Sequence, residues 1–407
     1  MPLQRTASNF RLTRFGCYLC FVIQAILINF PPLLFLTFSQ SYGVPLAKIT
    51  LLVVINFAVQ FIMDSLSAIL ASRLNYRVMI ISANVIAMLG LISLGILPEL
   101  FEDAYTGLLI ATFISAVGSG VIEVMGNPLM QSCPSPKKSF SMGFLHSFYC
   151  WGHVGVVIIS TVFLLIVGGD SWRLLSFIWA SVPAATALIF VFAPINQPSA
   201  ELEKTSSLAS LVKTKTFWIL IMVMILAGAC EQGMAQWASA FAEIALNNAS
   251  ISPSNAKLFG DLLGPCFFAL TMAIARVIYP RASEKIDLRK MMVFSSALCI
   301  GCYTLAALSQ NPFVSLLGCG LCGFSVGIMW PGTLDLAARS CAFVGTAFFA
   351  MLSLAGDTGC MMGPALVGLV ADSFGGDLDL GLLCGAILPL FMTLLLVFFK
   401  QKKNIDR

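Results

Sequence analysis

Charged residues are scarce in this sequence. Aspartate, glutamate, lysine and arginine make up 10% of its 407 residues, whereas hydrophobic residues make up 58%. A soluble domain carries about 25% charged residues, so this chain cannot cover a water-exposed surface of its size. Its high hydrophobicity also excludes an intrinsically disordered chain. The composition indicates a helical membrane protein that crosses the bilayer many times.

Histidine and sets of metal ligands are scarce as well. The sequence has two histidines, and its 13 cysteines are scattered through apolar segments. Three cysteine pairs have CxxC spacing, but none has a histidine or an acid close by. We interpret these cysteines as small apolar packing residues, and we expect neither a metal nor a cofactor. The three pairs are Cys17/Cys20, Cys299/Cys302 and Cys319/Cys322.

The small net charge and the lack of catalytic motifs argue against nucleic-acid binding and against enzymatic activity. The net charge of +4 is too small to indicate a nucleic-acid partner, and the basic residues form no stripe outside the loops. The chain has no GxSxG, HExxH or phosphate-binding loop, and both histidines lie in one apolar segment. An enzyme is therefore not expected.

Twelve apolar segments can be marked along the chain. A helix needs roughly 20 apolar residues to cross the hydrocarbon core, so the chain is long enough for twelve spans and their connections. The longest polar stretch, 194–216, is predicted to be a cytoplasmic linker between two six-helix halves, 1–193 and 217–407. The segments are 15–38, 51–71, 78–97, 106–130, 139–167, 172–193, 217–240, 258–279, 291–308, 313–337, 342–370 and 380–399.

Lysine and arginine predict the orientation in the membrane. If both termini are cytoplasmic, the cytoplasmic segments hold 19 of the 23 basic residues, as the positive-inside rule requires. The opposite loops carry mainly acids. We therefore expect a multi-pass protein of the plasma (inner) membrane with cytoplasmic N- and C-termini.

The two halves contain an internal repeat. When the sequence is shifted by 212 positions, the loop between segments 2 and 3 aligns with the loop between segments 8 and 9. Arg73 then coincides with Lys285, and Arg77 coincides with Arg289. Two related halves place a solute site at their interface near the bilayer midplane.

A few carboxyl groups lie inside apolar segments. A charge at the bilayer centre costs roughly 2.5–3.5 kcal/mol, so such residues face the protein interior and usually have a function. Asp64 and Arg276 lie closer to the ends of their segments, where a cap or an inter-helix ion pair is the favoured interpretation. The expected proton-coupling residues are Glu123, Glu231, Asp335 and Asp357.

Glu123 gives the most specific signal. It lies in the middle of segment 4, and Asn127, one turn further on, shares its helix face. Desolvation disfavours the ionised form of a carboxyl group, so a buried carboxyl can exchange a proton in the physiological range, as coupling to a proton gradient requires. A structural hydrogen bond inside the bundle is the open alternative.

Amide and aromatic side chains predict where a solute binds. Segment 7 reads CEQGMAQW at 230–237, in which Gln232 and Gln236 are one turn apart. Amides suit a polyhydroxylated solute because hydroxyls need donors and acceptors, and an indole ring can stack on the C–H face of a sugar. Helix packing and inter-helix hydrogen bonding remain open alternatives here, and packing is favoured for His153. The expected solute-contacting residues are Gln24, Asn29, Asn127, His146, Trp151, Gln232, Gln236, Trp237 and Trp330.

The sequence resembles the major facilitator superfamily. The loop signature of that family, G-x-L-A-D-R-x-G-R-R, is approximated by AILASRLNYR at 68–77, with serine where aspartate is usual. The resemblance implies an all-α integral membrane protein with twelve transmembrane helices in two pseudo-symmetric six-helix halves. It also implies that the basic loops take part in gating. The gating residues would be Arg73, Arg77, Lys285 and Arg289.

Within that superfamily the sequence is most similar to the fucose–proton symporters. Their helix-4 pattern Glu-x3-Asn-Pro is matched by Glu123, Asn127 and Pro128. Their helix-5 pattern Gln-Ser-Phe-x3-Gly is approximated at 146–152, with His146 in place of glutamine. The family's sugar-binding asparagine of helix 1 corresponds to Asn29.

These features predict a secondary active transporter that moves a small, sugar-like polar solute by proton symport with alternating access. A proton-driven exporter (antiporter) of amphipathic small molecules is the alternative. The expected partners are the solute, protons and the lipid bilayer, and the chain is expected to be a monomer.

Overall fold

The computed structural model describes residues 10–70, 75–134, 138–195, 212–283, 285–340 and 346–399. These residues form helices joined by short connections. Twelve helical segments in this part of the chain are long and apolar enough to cross a membrane, which confirms the predicted all-α membrane fold. A helix is favoured there because it satisfies its own backbone N–H and C=O groups, which lipid cannot do.

We number the twelve spans α1 to α12 in chain order. The apolar segments of the sequence locate all of them, but several spans extend further than predicted. The span α7 continues to Asn248, and α8 begins at Pro253, because polar helix ends give no hydropathy signal. The bounds are α1 Arg11–Tyr42, α2 Leu46–Leu70, α3 Tyr76–Leu100, α4 Ala104–Ser132, α5 Lys138–Val167, α6 Trp172–Phe192, α7 Lys215–Asn248, α8 Pro253–Tyr279, α9 Leu288–Leu308, α10 Pro312–Ser340, α11 Thr346–Ser373 and α12 Leu378–Phe398.

Several spans are interrupted along their length. In α1 a 3-10 turn, Pro31–Leu34, follows the first helix, because proline lacks the N–H that an α-helix needs. In α8 a π-helical turn, Leu262–Cys266, contains Pro265. The span α7 is broken at Gln236 and Trp237. Breaks of this kind free backbone groups and often mark functional sites.

The chain forms two compact units, Met1–Ala200 and Glu201–Arg407. The first unit (unit 1) contains α1 to α6, and the second (unit 2) contains α7 to α12. Most of the predicted linker, residues 196–211, lies outside the described part of the chain.

In unit 1, small residues bring α3 and α4 close together. A Cβ atom added to Gly118 would lie 2.6 Å from the backbone nitrogen of Ala87, so only glycine fits at this crossing. Apolar side chains cover the outer face of the unit, where Ile166 and Phe192 are each 77% exposed. Such side chains form the lipid-facing surface of the predicted membrane protein.

In unit 2 the corresponding close contact joins α7 and α11. A Cβ atom on Gly359 would lie 2.8 Å from the backbone nitrogen of Ala229 and would collide with the carbonyl oxygen of Ile225. Tyr303 of α9 is fully buried, and its hydroxyl donates to the carbonyl oxygen of Cys230 at 2.8 Å. These contacts fix α7 against its neighbours.

Candidate functional site

Glu123 of α4 lies at the centre of a polar cluster in unit 1. Its Oε2 atom accepts hydrogen bonds from the amide of Gln24 on α1 and from that of Gln60 on α2. The Gln60 Nε2–Glu123 Oε2 distance is 2.6 Å. Both glutamines are buried, while Glu123 itself is partly accessible. The carboxyl group of Glu123 is thus held by neutral donors from two other helices.

A second carboxyl group belongs to the same cluster. Asp64 follows Gln60 by one turn of α2, and carboxylate oxygens of Asp64 and Glu123 lie within 4.8 Å of each other. Gly120 permits this approach, because a Cβ atom there would lie 3.0 Å from Asp64 Oδ1. Two carboxylates at this distance cannot both ionise easily in a low-dielectric environment.

Two members of this cluster were not identified from the sequence. Asp64 was interpreted as a cap or inter-helix ion-pair residue, and the structure places its carboxyl group beside that of Glu123. Gln60 was overlooked, although Gln60 and Asp64 are four residues apart and share one face of an otherwise apolar helix. That i, i+4 polar pair is the signal that could have found them.

The remaining predicted residues of unit 1 lie at varied positions. Asn29 is buried, and its amide donates to the carbonyl of Ala25 at 2.9 Å. Asn127 is partly buried, and its Oδ1 atom accepts no hydrogen bond from the described residues. His146 of α5 is exposed beside the ring of Phe21. Trp151 of α5 is 51% exposed.

In unit 2, Glu231 of α7 forms an ion pair with Arg276 of α8 at 3.3 Å. This is the inter-helix pair that the sequence favoured for Arg276. The next residues of α7 form a short chain of amides, in which Gln236 Nε2 donates to Gln232 Oε1 at 3.0 Å. Both glutamines are buried. These two amides offer paired donors and acceptors next to the break in α7.

The two predicted tryptophans of unit 2 pack against α11. Trp237 is fully buried, and its indole N–H donates to the carbonyl oxygen of Pro364 at 3.1 Å. This is the inter-helix hydrogen bond that remained an open alternative for Trp237. The ring of Trp330 lies against Gly356, where an added Cβ atom would collide with it. Trp330 is only partly buried.

The two predicted aspartates of unit 2 differ in their surroundings. Asp335, near the end of α10, accepts a hydrogen bond from Tyr279 at 3.0 Å and pairs with Arg339 at 2.7 Å. Asp357 of α11 is buried, with 5% of its surface exposed. Asp335 is therefore part of an ion pair at a helix end, whereas Asp357 is buried within its span.

The predicted gating arginines cap helix ends. Arg77, at the start of α3, donates three hydrogen bonds to carbonyl oxygens at the end of α6. Arg289, at the start of α9, donates to the carbonyls of Leu396 and Val397 at the end of α12. Lys285 is exposed, and Arg73 lies outside the described residues. Both units thus use an arginine of the third helix to hold the sixth.

A buried ion network was also missed. Lys257 of α8 lies 3.1 Å from Asp261 and 3.4 Å from Glu243, and Ser239 donates to Asp261 at 2.5 Å. Lys257 lies outside the apolar segments of the sequence, because α8 begins earlier than the segment 258–279. The network connects α7 to α8 before the π-helical turn of α8.

Comparison with known proteins identifies the family. A family model described as Major Facilitator Superfamily matches residues 15–364. The chain belongs to the Major Facilitator Superfamily. It is an integral multi-pass membrane protein and a transporter of small solutes. No curated protein matches the chain.

Solved structures of other members of the superfamily share this fold over nearly the whole chain. The nucleoside transporter NupG is 14% identical, with a TM-score of 0.75 over 96% of this chain and 99% of its own. A variant of the E. coli fucose:proton symporter FucP is 17% identical, with a TM-score of 0.65 over 97% and 100%. A bacterial homologue of the human lysosomal transporter Spinster is 14% identical, with a TM-score of 0.73 over 94% and 95%.

Proposed function

We propose that this protein is a secondary active transporter that carries a small, hydroxylated polar solute together with protons by alternating access. The observation that carries this proposal is the position of Glu123, a carboxyl group inside the fourth span that accepts hydrogen bonds from Gln24 and Gln60. A coupling residue must gain and lose a proton during transport. An ionisable side chain inside a membrane helix is expected to serve such a function.

The cluster provides for both protonation states of Glu123. The amides of Gln24 and Gln60 stabilise the ionised form because they donate to its oxygen. The nearby carboxyl group of Asp64 opposes ionisation of both acids at once. Because these two effects oppose each other, a change in solvent access or in solute binding can protonate or deprotonate Glu123. Glu123 is partly accessible, as proton exchange requires.

The polar residues of α7 support a hydroxylated solute. Gln232 and Gln236 present amide donors and acceptors close to the ion pair of Glu231 and Arg276. Among the similar structures, one is a nucleoside transporter and another is a fucose:proton symporter. A nucleoside and a sugar share a hydroxylated ring, so this ring is the part of the solute that we expect the amides to bind. The protein would act as a monomer in the plasma membrane with both termini in the cytoplasm.

Proton flux in proteoliposomes tests the proposal. The purified protein is reconstituted with a pH-sensitive dye inside the vesicles, and sugars, nucleosides and amphipathic amines are added outside. A sugar or nucleoside should acidify the vesicle lumen in the wild type as protons enter with the solute. Glu123→Gln should lose this acidification, because its side chain cannot carry the proton. Glu102→Gln, the same substitution at an exposed loop position, serves as the matched control and should behave as the wild type. A response only to amphipathic amines, with alkalinisation of the lumen, would instead identify an antiporter of amphipathic molecules.

A further inference from the structure

The second part of α7 and the first part of α8 form a helical hairpin in unit 2. Its arms are Ala238–Asn248 and Pro253–Asp261, and we call residues 238–261 the α7–α8 hairpin. The arms are in close contact, because a Cβ atom added to Gly260 would lie 3.1 Å from the backbone nitrogen of Glu243. Small residues of this kind allow two helix backbones to approach each other.

The turn between the arms has a defined geometry. Ser250 adopts a left-handed conformation, with a φ of 62°. Its N–H donates to the carbonyl oxygen of Asn247, and the N–H of Ile251 donates to that of Leu246. This pair of bonds is a Schellman motif, so the turn sets the direction in which the second arm leaves the first.

Polar groups buried between the arms join them. Ser239 of the first arm donates to Asp261 of the second at 2.5 Å. Lys257 of the second arm donates to the hydroxyl of Ser239 at 3.0 Å and lies 3.4 Å from Glu243 of the first. Ser239 and Asp261 are each 1% exposed. Separating the arms would break these contacts around a buried charge, which is costly, so the arms stay together.

Each arm ends at an interruption of its own span, and the two interruptions are neighbours. The first arm follows the break at Gln236 and Trp237, and the second arm precedes the π-helical turn Leu262–Cys266. A Cβ atom on Gly264 of that turn would lie 2.8 Å from the carbonyl oxygen of Ala238. The interruptions therefore lie side by side at the base of the hairpin. Residues at the ends of helical segments can absorb the backbone rotations of a hinge.

Beyond the interruptions, both spans are attached to other helices of unit 2. The indole N–H of Trp237 donates to the carbonyl oxygen of Pro364 on α11 at 3.1 Å. The hydroxyl of Thr271 on α8 is buried and donates to the carbonyl oxygen of Gly320 on α10 at 2.6 Å. The base of the hairpin is thus fixed to α10 and α11, whereas the bonds of Ser239 and Lys257 join the arms to each other.

We propose that the α7–α8 hairpin opens as one unit, in which both arms move together about the two neighbouring interruptions and Lys257 fastens one arm to the other. Regions that open cooperatively often coincide with supersecondary motifs such as a helical hairpin. Gln236 at the base of the hairpin donates to Gln232, so this movement would also reach the amide pair of α7. The inference goes beyond the proposed function and does not depend on the identity of the solute.

Hydrogen–deuterium exchange of the purified full-length protein, measured by mass spectrometry, tests the proposal. In the wild type, the amides of 238–248 and 253–261 should exchange with one common free energy of opening. This free energy should be lower than those of 215–235 and 267–279, because these segments are attached to α10 and α11. The proposal is overturned if the two arms open with different free energies, or if each arm exchanges together with the rest of its own span.

The variant Lys257→Met tests the role of Lys257. Exchange in the arms should rise about tenfold or more, as expected for the loss of one hydrogen bond to a charged group, and it should rise more there than in 215–235. Lys290→Met removes an exposed lysine of the same unit and should leave exchange in the arms unchanged. Exchange in the arms of Lys257→Met at the wild-type rate would show that Lys257 does not fasten them. If Lys257→Met does not fold, the wild-type measurement decides the proposal alone.

Discussion

Replacing Arg77 with alanine removes three hydrogen bonds that join α3 to the end of α6. The guanidinium nitrogens of Arg77 lie 2.7, 2.6 and 2.8 Å from the carbonyl oxygens of Phe190, Val191 and Ala193. These carbonyls belong to the last turn of the helix or follow it directly, where no intrahelical donor remains. The positive charge also interacts favourably with the negative end of the helix dipole.

The loss of stability can be estimated from these contacts. A buried hydrogen bond to a charged group contributes about 1.5 to 3 kcal/mol, and solvent exposure lowers this to about 0.2 to 1 kcal/mol for each exposed pair. Because Arg77 is partly buried, we expect a total loss of about 2 to 3 kcal/mol. Unit 1, which contains α3 and α6, spans Met1–Ala200. For a domain of about 150 to 250 residues, a loss of 1 kcal/mol lowers Tm by about 2 to 4 °C, so Tm should fall by about 4 to 12 °C.

Thermal unfolding of purified variants in detergent, followed by loss of the monodisperse peak in size-exclusion chromatography, measures this change. Arg77→Lys should lose less stability than Arg77→Ala, because lysine keeps the positive charge although it lacks the forked geometry of the guanidinium group. Arg289→Ala, which removes two hydrogen bonds in unit 2, should lose about two thirds as much. Arg11→Ala changes an exposed arginine of α1 and should leave Tm unchanged. If Arg77→Ala unfolds at the same temperature as Arg11→Ala, the capping role is wrong.

Three further predictions concern packing, buried charge and thiol chemistry. Gly359→Val should reduce Tm and expression because its side chain collides with the backbone of Ile225, at a cost of about 1 to 3 kcal/mol; an unchanged melting curve would refute the close contact. Lys257→Met removes the ion pair with Asp261 and should destabilise the protein by about 3 to 5 kcal/mol in thermal unfolding. Adding Asp261→Leu should recover part of that loss, and no recovery would contradict the ion pair. Burial raises the pKa of Cys133 to about 11, so its thiolate fraction at pH 8 is roughly 200-fold smaller than that of a free thiol with a pKa of 8.5, and its alkylation should be slower. Peptide mass spectrometry measures this rate, and alkylation as fast as in a model thiol would show that Cys133 is accessible and ionised.

The sequence predicts the spans well because hydropathy and charge are properties of local segments. Glu123 stands out for the same reason, since a carboxyl group in an apolar helix has few structural explanations. Its partners could not be predicted from local sequence. Gln24 was expected to bind solute, and only the structure shows that its amide donates to Glu123. The contacts between side chains depend on how each helix is rotated about its axis. Close contacts such as that of Gly120 with α2 determine this rotation.

Tertiary packing also explains what the sequence left open in unit 2. From the sequence alone, Trp237 could stack on a solute or form an inter-helix hydrogen bond. Only the packing of α7 against α11 shows that its indole N–H donates to the carbonyl oxygen of Pro364. The Sγ atoms of Cys299 and Cys322 lie 3.8 Å apart although the residues are 23 positions apart, and local spacing gives no information on this distance. Lys257 falls between two apolar segments of the sequence because helix ends with polar residues have no apolar pattern.

Solute accumulation by the Glu123→Gln variant tests the central claim most directly. Wild-type proteoliposomes should accumulate the identified solute when an inward proton gradient is imposed. The variant carries a neutral side chain of similar shape, so it should still exchange labelled for unlabelled solute across the membrane at equilibrium. It should not accumulate solute in response to the gradient. Accumulation by Glu123→Gln at the wild-type level would show that the proton is carried elsewhere, and the account of coupling through Glu123 would be wrong.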